Sequence, residues 1–360
     1  MVYERLSLVP GALELRLSPL GDPESPLVVV SLDEWRGESP ARIQRAAEAV
    51  SGGLRIAVGV LESEPTADLE PLLRAMTLTL TSSRRAGREL VECADVAAGL
   101  DRLSDAVGRN PRACVALGRL LRQTAALDVE AGLAAEAAVY SMLLGGSEFA
   151  RWRAERPVRP VVSSERPFVR VGRAGERLDV VLDNPDRRNA LSMRMRESLL
   201  EALQLAELDP SIGQVEMRGA GPVFCSGGDL DEFGIATDLV AAYLVRLERA
   251  PWRIIDRLRD RVTARVHGGC IGAGIEMAAF AGRVIAAPGT FFQLPEIGMG
   301  LVPGAGGTVS VVRRIGRWRA GWMMLTGERI DAETAVRWGL VDQVDRVDPA
   351  TPEFCGRRDA

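Results

Sequence analysis

Hydrophobic positions fall into two textures in the first half of the chain and a third in the second. Over residues 1–60 the apolar positions gather in short β-branched runs, Leu27–Leu32 and Leu54–Val60, which predict strands. Residues 66–155 are rich in Ala, Leu, Arg and Glu and predict helix. From Val129 to Trp152, Leu133, Ala137, Tyr140 and Leu144 recur at helical spacing as one apolar stripe. Arg156-Pro157-Val158-Arg159-Pro160 breaks that helix, and with Ser163–Pro167 behind it predicts a linker over residues 156–167. Beyond it, strand-like runs (Phe168–Val171, Leu178–Leu182, Ile212–Met217, Val262–Val266, Arg283–Ala286) alternate with helical stretches. These cover Met193–Leu208, Asp238–Leu258, Gly274–Ala281 and Ala332–Gly339. Such alternation predicts an α/β layered fold over 168–348. A smaller, mostly helical α/β unit over 1–155 precedes it, and a polar tail over 349–360 follows.

Composition narrows the chemistry. The chain has 360 residues, 47% of them hydrophobic and 26% charged, as in ordinary globular proteins. A net charge of −4 leaves no basic footprint for nucleic acid. No apolar run approaches the roughly 20 residues that span a bilayer, and Met-Val-Tyr-Glu-Arg does not resemble a signal peptide. The five cysteines are scattered without CxxC spacing, which predicts reduced thiols, a cytoplasmic location and no zinc site. One histidine, His267, leaves little for a metal centre or a Ser-His-Asp triad. Every basic side chain other than that histidine is arginine, so Schiff-base chemistry and a Walker A loop, which need lysine, are excluded.

Two glycine-rich segments stand out. In Gly219–Leu230 the pair Gly227-Gly228 lets the backbone turn tightly and present peptide N–H groups. In Arg261–Glu276 a strand runs into Gly268-Gly269-Cys270-Ile271-Gly272-Ala273-Gly274 and then a helix, whose positive end suits a developing negative charge. A dinucleotide fingerprint fails here, because the position of its third glycine is Met277.

These segments stand in a longer series. Asn189-Ala190-Leu191-Ser192, Phe224–Leu230, Gly272–Glu276, Leu294-Pro295-Glu296-Ile297-Gly298, Gly300–Thr308, Leu325–Ile330 and Trp338–Asp342 follow one another in an order that resembles the crotonase (enoyl-CoA hydratase/isomerase) family, over roughly residues 165–345. The resemblance implies a spiral of repeated ββα units. It also implies an oxyanion hole made by the N–H groups of Gly228 and Ala273, gripping a thioester carbonyl. Ala273 replaces a residue that is often Gly in the family. Glu276 and Glu296 match the family's two catalytic glutamates, without assigning which is base and which acid. Arg188, Ala190, Ser226, Gly227, Asp229 and Gly272 would border the substrate, and Pro303–Thr308 would pack beneath the acyl pocket. No cofactor is implied beyond coenzyme A as part of the substrate, and the family suggests a homo-oligomer, a trimer or hexamer.

The chemical logic stands beside the resemblance. An enolate-like oxygen needs preorganised donors, and losing one typically costs about 10²–10³ in rate. Two carboxylates around one water can divide proton acceptance from donation. His267 and the cysteines Cys225 and Cys270 fit structural roles better.

By that resemblance a helical tail is expected after Asp342, but Pro349, Pro352 and Gly356 discourage a helix over Gln343–Ala360. Yet Leu103–Val107, Asn110–Ala113, Leu120–Arg122, Gly132–Glu136 and Glu148–Trp152 follow the order of those tail helices. Residues 1–155 therefore resemble a degenerate crotonase-like half that kept its terminal helices, with an unrelated helical adaptor as the alternative. The function expected is hydration of a 2-enoyl-CoA. Double-bond isomerisation, thioester hydrolysis or non-catalytic acyl-CoA binding are the alternatives.

Overall fold

A computed structural model describes residues 13–85, 87–157 and 167–347. The expected linker thus lies mostly, and the expected tail wholly, outside the described residues. The first half opens with a small antiparallel pair, β1 (Arg16–Leu17) and β2 (Pro23–Glu24). A four-stranded parallel sheet follows, in the order β3 (Leu27–Ser31), β4 (Ile56–Val60), β5 (Leu78–Thr81), β6 (Leu90–Glu92). Helices α1 (Pro40–Gly52) and α2 (Glu70–Ala75) make the first two crossovers. Four helices come next: α3 (Val96–Arg109), α4 (Pro111–Thr124), α5 (Val129–Leu144) and α6 (Ser147–Ala154).

Short polar residues set the starts of these helices. Asp95 accepts from Ala98 N at 3.0 Å and Asp128 from Ala131 N at 2.8 Å, satisfying N–H groups that have no intrahelical acceptor. Pro111 opens α4, where its missing N–H costs nothing.

The second half contains β7 (Val169–Ala174), β8 (Arg177–Leu182), α7 (Met193–Leu208), β9 (Gln214–Gly219), α8 (Leu239–Glu248) and α9 (Pro251–Arg257). It continues through β10 (Val262–Val266), β11 (Gly269–Ile271), α10 (Ala273–Ala278), β12 (Arg283–Ala286) and β13 (Phe291–Gln293). Last come α11 (Gly307–Thr326), β14 (Ile330–Asp331), α12 (Ala332–Trp338) and β15 (Gln343–Val344).

The main sheet runs β15-β12-β10-β9-β8-β7, parallel except for β7 with β8, and a second sheet runs β11-β13-β14. Each turn of chain lays one strand in the main sheet, the next in the second, and then a helix, as in β10–β11–α10 and β12–β13–α11. Isolated parallel bridges, Leu191 with Gly228 and Cys225 with Cys270, carry the same stacking into the earlier turns. This is the spiral of ββα units expected.

Two expectations need correction. Residues 66–155 are not helical throughout: β5 and β6 lie within them. Leu78-Thr79-Leu80-Thr81 is buried on both faces, and so short a buried run is masked by its helix-rich surroundings. The helix expected over Asp238–Leu258 is two helices. Proline excludes the preceding residue from helical geometry, and Ala250 is extended at φ −104°, ψ 95°, before Pro251 starts α9.

The two halves share one core. Helices α3, α4 and α5 lie on α11, α5 also packs on α8, and α6 meets the short 3₁₀ turn Glu296–Met299. A Cβ on Gly99 would stand 3.3 Å from the Trp322 ring, and one on Gly132 would stand 2.9 Å from Val309. Asn110 donates to Ile297 O at 2.7 Å and Arg317 to Met76 O at 2.9 Å, so polar bonds cross the same boundary.

Candidate active site

Three segments converge on the site, and each is held by its own local chemistry. The segment after β9 is pinned by Asn189, fully buried in a left-handed conformation (φ 54°). Its side-chain amide donates to Ala220 O, Val223 O and Phe224 O at 2.8, 3.0 and 3.1 Å. Leu191 N donates to Gly227 O at 2.7 Å, and Asp229 N donates to Leu191 O at 3.1 Å. In a parallel bridge of this kind the flanking residues bond the partner, so the N–H of Gly228 itself points to the opposite side.

The second segment is the β11–α10 turn. Gly272 stands at φ 49°, ψ −125°, and a Cβ there would lie 2.7 Å from Glu296 Oε1 and 3.4 Å from Gly227 Cα. Only glycine takes that backbone and that space together. Ala273 is the first residue of α10, so its N–H has no intrahelical acceptor. The third segment is the 3₁₀ turn at Glu296 with the stretch up to Gly307.

A cavity of about 560 Å³ is lined by Gly228, Ala273, Glu276, Glu296, Gly304 and Ala305, among others. Tyr140, Leu144, Phe233, Ile235, Val245 and Trp252 supply its apolar wall. A second cavity, about 500 Å³, is lined by Arg156, Arg187, Arg188, Ala190, Ser226, Gly228 and Asp229. Gly228 and Asp229 belong to both, so the two meet at the Gly228 turn. The structure therefore brings Gly228, Ala273, Glu276 and Glu296 around one space, with Arg188, Ala190, Ser226 and Asp229 around the adjoining one. Gly227 and Gly272 do not line either; they face each other behind the turn. Asp229 accepts from Asp231 N at 3.1 Å and pairs with Arg187 at 2.8 Å, which also pairs with Asp231.

The carboxylates differ in environment. Glu276 Oε2 accepts from Ala305 N at 2.7 Å and Gly307 N at 2.9 Å, while burial pushes the group up to about 7. Burial, and then the charge of Glu276, hold Glu296 well above the usual carboxylate range. Its Oε2 is buried without a hydrogen-bond partner among the described residues. A third acid, Glu136 of α5, is 2% exposed. It accepts from Gly306 N (2.6 Å), Thr308 N (2.8 Å) and Thr308 Oγ1 (2.7 Å), and burial with the neighbouring Glu276 raises it to about 8.

Glu136, Tyr140 and Arg246 were not expected at the site. Arg246 donates to Gly304 O at 3.0 Å and lies 3.7 Å from the Tyr140 ring centroid. His267 sits outside both cavities, bonded to Gly221 O at 2.8 Å, and burial lowers its pKa. Burial raises the Cys225 thiol to about 12 and Cys270 well above its ordinary range, so neither is a ready nucleophile. Among the described residues no group of three or more His, Cys, Asp or Glu could hold a metal ion, and no helix is long and apolar enough to cross a membrane.

Sequence comparison agrees with this architecture. A family model described as enoyl-CoA hydratase/isomerase matches residues 177–351. The 2,3-dehydroadipyl-CoA hydratase of Escherichia coli K12 is 36% identical over 174 residues, 48% of this chain and 68% of that protein. A probable enoyl-CoA hydratase of Mycobacterium leprae is 34% identical over 174 residues, 48% of this chain and 67% of that protein. A crystal structure of an enoyl-CoA hydratase from Mycobacterium smegmatis is 31% identical and aligns with 50% of this chain and 70% of its own at a TM-score of 0.46. The chain belongs to the enoyl-CoA hydratase/isomerase, or crotonase, family. The match is confined to its second half.

Proposed function

We propose that the protein hydrates a 2-enoyl-CoA thioester. The observation that carries this is the placing of two buried glutamates, differently solvated by donors, around the cavity that Gly228 and Ala273 also line. The thioester oxygen takes the N–H groups of Gly228 and Ala273. Glu276, whose two N–H donors favour its anion, accepts a proton from water as the oxygen of that water bonds C3. Electron density moves from the C2–C3 double bond toward the thioester oxygen, where the two donors stabilise it. Glu296, kept protonated by burial and with no partner on its Oε2, gives its proton to C2. The adduct has gained one water, and a proton passing from Glu276 to Glu296 restores the start. Atoms and electrons balance without an oxidant or a reductant.

The cavity volume lies within the range of roughly 300–1,000 Å³ that encloses drug-sized ligands, and its aromatic and aliphatic wall suits an acyl group. Arg188, Arg187 and Arg156 on the adjoining cavity suit the phosphates of coenzyme A. The name of the Escherichia coli relative supports the same class of reaction.

Hydration of short, long and ring-bearing enoyl-CoAs tests the reading. Glu276→Gln and Glu296→Gln should each lower kcat by about 10²–10⁴-fold, the usual worth of a positioned acid or base. Isomerisation of 3-enoyl-CoA, by contrast, tolerates loss of one glutamate. Full hydration by either variant overturns the assignment.

A further inference from the structure

Four successive backbone N–H groups, from Ala305 to Thr308, are shared alternately between two carboxylates. Ala305 and Gly307 donate to Glu276, at 2.7 and 2.9 Å. Gly306 and Thr308 donate to Glu136, at 2.6 and 2.8 Å. The alternation has a local cause. Gly306 is the left-handed cap of α11 (φ 93°), so the amides at its start have no intrahelical acceptors and fan out to both sides. Glu276 reaches them from α10 and Glu136 from α5, a helix of the other half of the chain.

An ordinary helix-capping role explains the bonds of Glu136 to α11 but leaves two further facts aside. The turn it holds is the turn that holds Glu276, so 306 and 308 cannot shift without moving 305 and 307. Helix α5 also touches that turn one helical turn later. A Cβ on Gly304 would lie 2.3 Å from Tyr140 Cδ2, and Tyr140 itself lines the cavity. The helix thus braces the stretch 304–308 at both ends.

We propose that Glu136 is a positioning residue of the active site: its carboxylate holds the 306 and 308 amides so that those of 305 and 307 stay on Glu276, fixing where that base sits and how strongly it binds a proton. The inference rests on the assignment of Glu276 as the base. All three contacts of Glu136 are donors, which favours its anion, but burial and Glu276 outweigh them and raise the group to about 8. The groups facing that carboxyl are Glu276 on α10 and Glu296 on the 3₁₀ turn, with Thr308 on α11. Tyr140 on α5 and Arg246 on α8 stand on the cavity side.

The test compares the full chain with Glu136→Gln and Glu136→Asp, each checked for folding by circular dichroism and thermal melting. Glu136→Gln should leave KM near the parent value and lower kcat by about 10²-fold, the cost of a misplaced catalytic group. Its acid limb of kcat/KM should move to higher pH, because the Gln amide nitrogen cannot accept from a backbone N–H, the turn loosens, and the 305 and 307 amides stabilise the Glu276 anion less. Glu136→Asp keeps the carboxyl on a shorter arm that cannot reach both amides, so it too should lower kcat and move the limb to higher pH. A kcat and an acid limb unchanged in folded Glu136→Gln overturn the proposal. Should that variant not fold, parent-like kcat in Glu136→Asp overturns it and a lowered kcat at unchanged KM supports it. Should the parent hydrate no enoyl-CoA, the function above fails separately. The proposal is then decided by ¹³C NMR of glutamate-labelled protein, where a Glu276 carboxyl titration that Glu136→Gln does not move overturns it.

Discussion

Glu276 and Glu296 begin with the same side chain and end in different states because of what surrounds each oxygen. Two peptide donors pull Glu276 back toward its anion, and nothing comparable serves Glu296 Oε2. Both environments, together with that of Glu136, raise the folded-state pKa. A raised acid binds protons better in the folded than in the unfolded chain, so ionising it opposes folding. Its penalty is absent below its ordinary value of 4.5 and, for Glu276, complete above about 7. Other carboxylates work the opposite way: Glu197, Glu216 and Asp331 are held below their ordinary values by hydrogen bonds to partners such as Arg249, Arg218 and Thr334, although burial opposes this in part. A difference measurement separates the two. The melting temperature of Glu276→Gln minus that of the parent should grow more positive as pH rises from about 4.5 to about 7. A difference that stays flat, or falls, over that window contradicts the environment described for Glu276.

At the scale of elements, α10 and the start of α11 meet with no room between them. A Cβ on Gly307 would lie 2.7 Å from Glu276 Cγ. Gly307→Ala should therefore destabilise the fold by about 1–3 kcal/mol, the usual cost of overpacking. It should lower kcat more than it raises KM, which steady-state kinetics and denaturant titration read independently.

The β11–α10 turn was legible in the sequence because its glycines announce a backbone no other residue takes. The strands β7 to β10 and β12 were legible from their apolar runs and spacing, whereas β11 was hidden in its glycine-rich turn. What was not legible had competing or distant causes. Leu78–Thr81 was hidden inside a helix-rich stretch, and Pro251 divides a stretch whose apolar content suggested one helix. Glu136 had a faint signal: it falls three residues after Leu133 and four before Tyr140, so it puts a charge on the apolar face of α5. Its partners at 306 and 308 lie too far along the chain for any local period to reveal.

The molecule as a whole is not two independent bodies. Separating the halves would uncover Leu121, Tyr140 and Phe149, which lie against Gly321, Gly304 and Gly234, and Val309 and Trp322, which lie against Gly132 and Gly99, all now buried. At roughly 1.5–3 kcal/mol for each large side chain, that exposure rivals the roughly 5–15 kcal/mol that stabilises a typical protein. Residues 167–347 expressed alone should therefore be insoluble or, if soluble, inactive, with Glu276 deprived of the braced turn beside it. Co-expression with residues 13–155 should restore solubility and, with it, the proposed hydration. A soluble, fully active isolated second half contradicts the shared core.

The placing of α3 to α6 ahead of the turns they cover also sets an order of events at the ribosome. These helices emerge long before α10 and α11 have been made, and domains generally fold from the N-terminal end during synthesis. For that interval the face carrying Tyr140 and Glu136 is a mould without its casting, an oily surface with a carboxylate in its middle that tells against casual adhesion. The candidate site comes into being only when the last turns of the spiral arrive and close on a brace that was waiting for them.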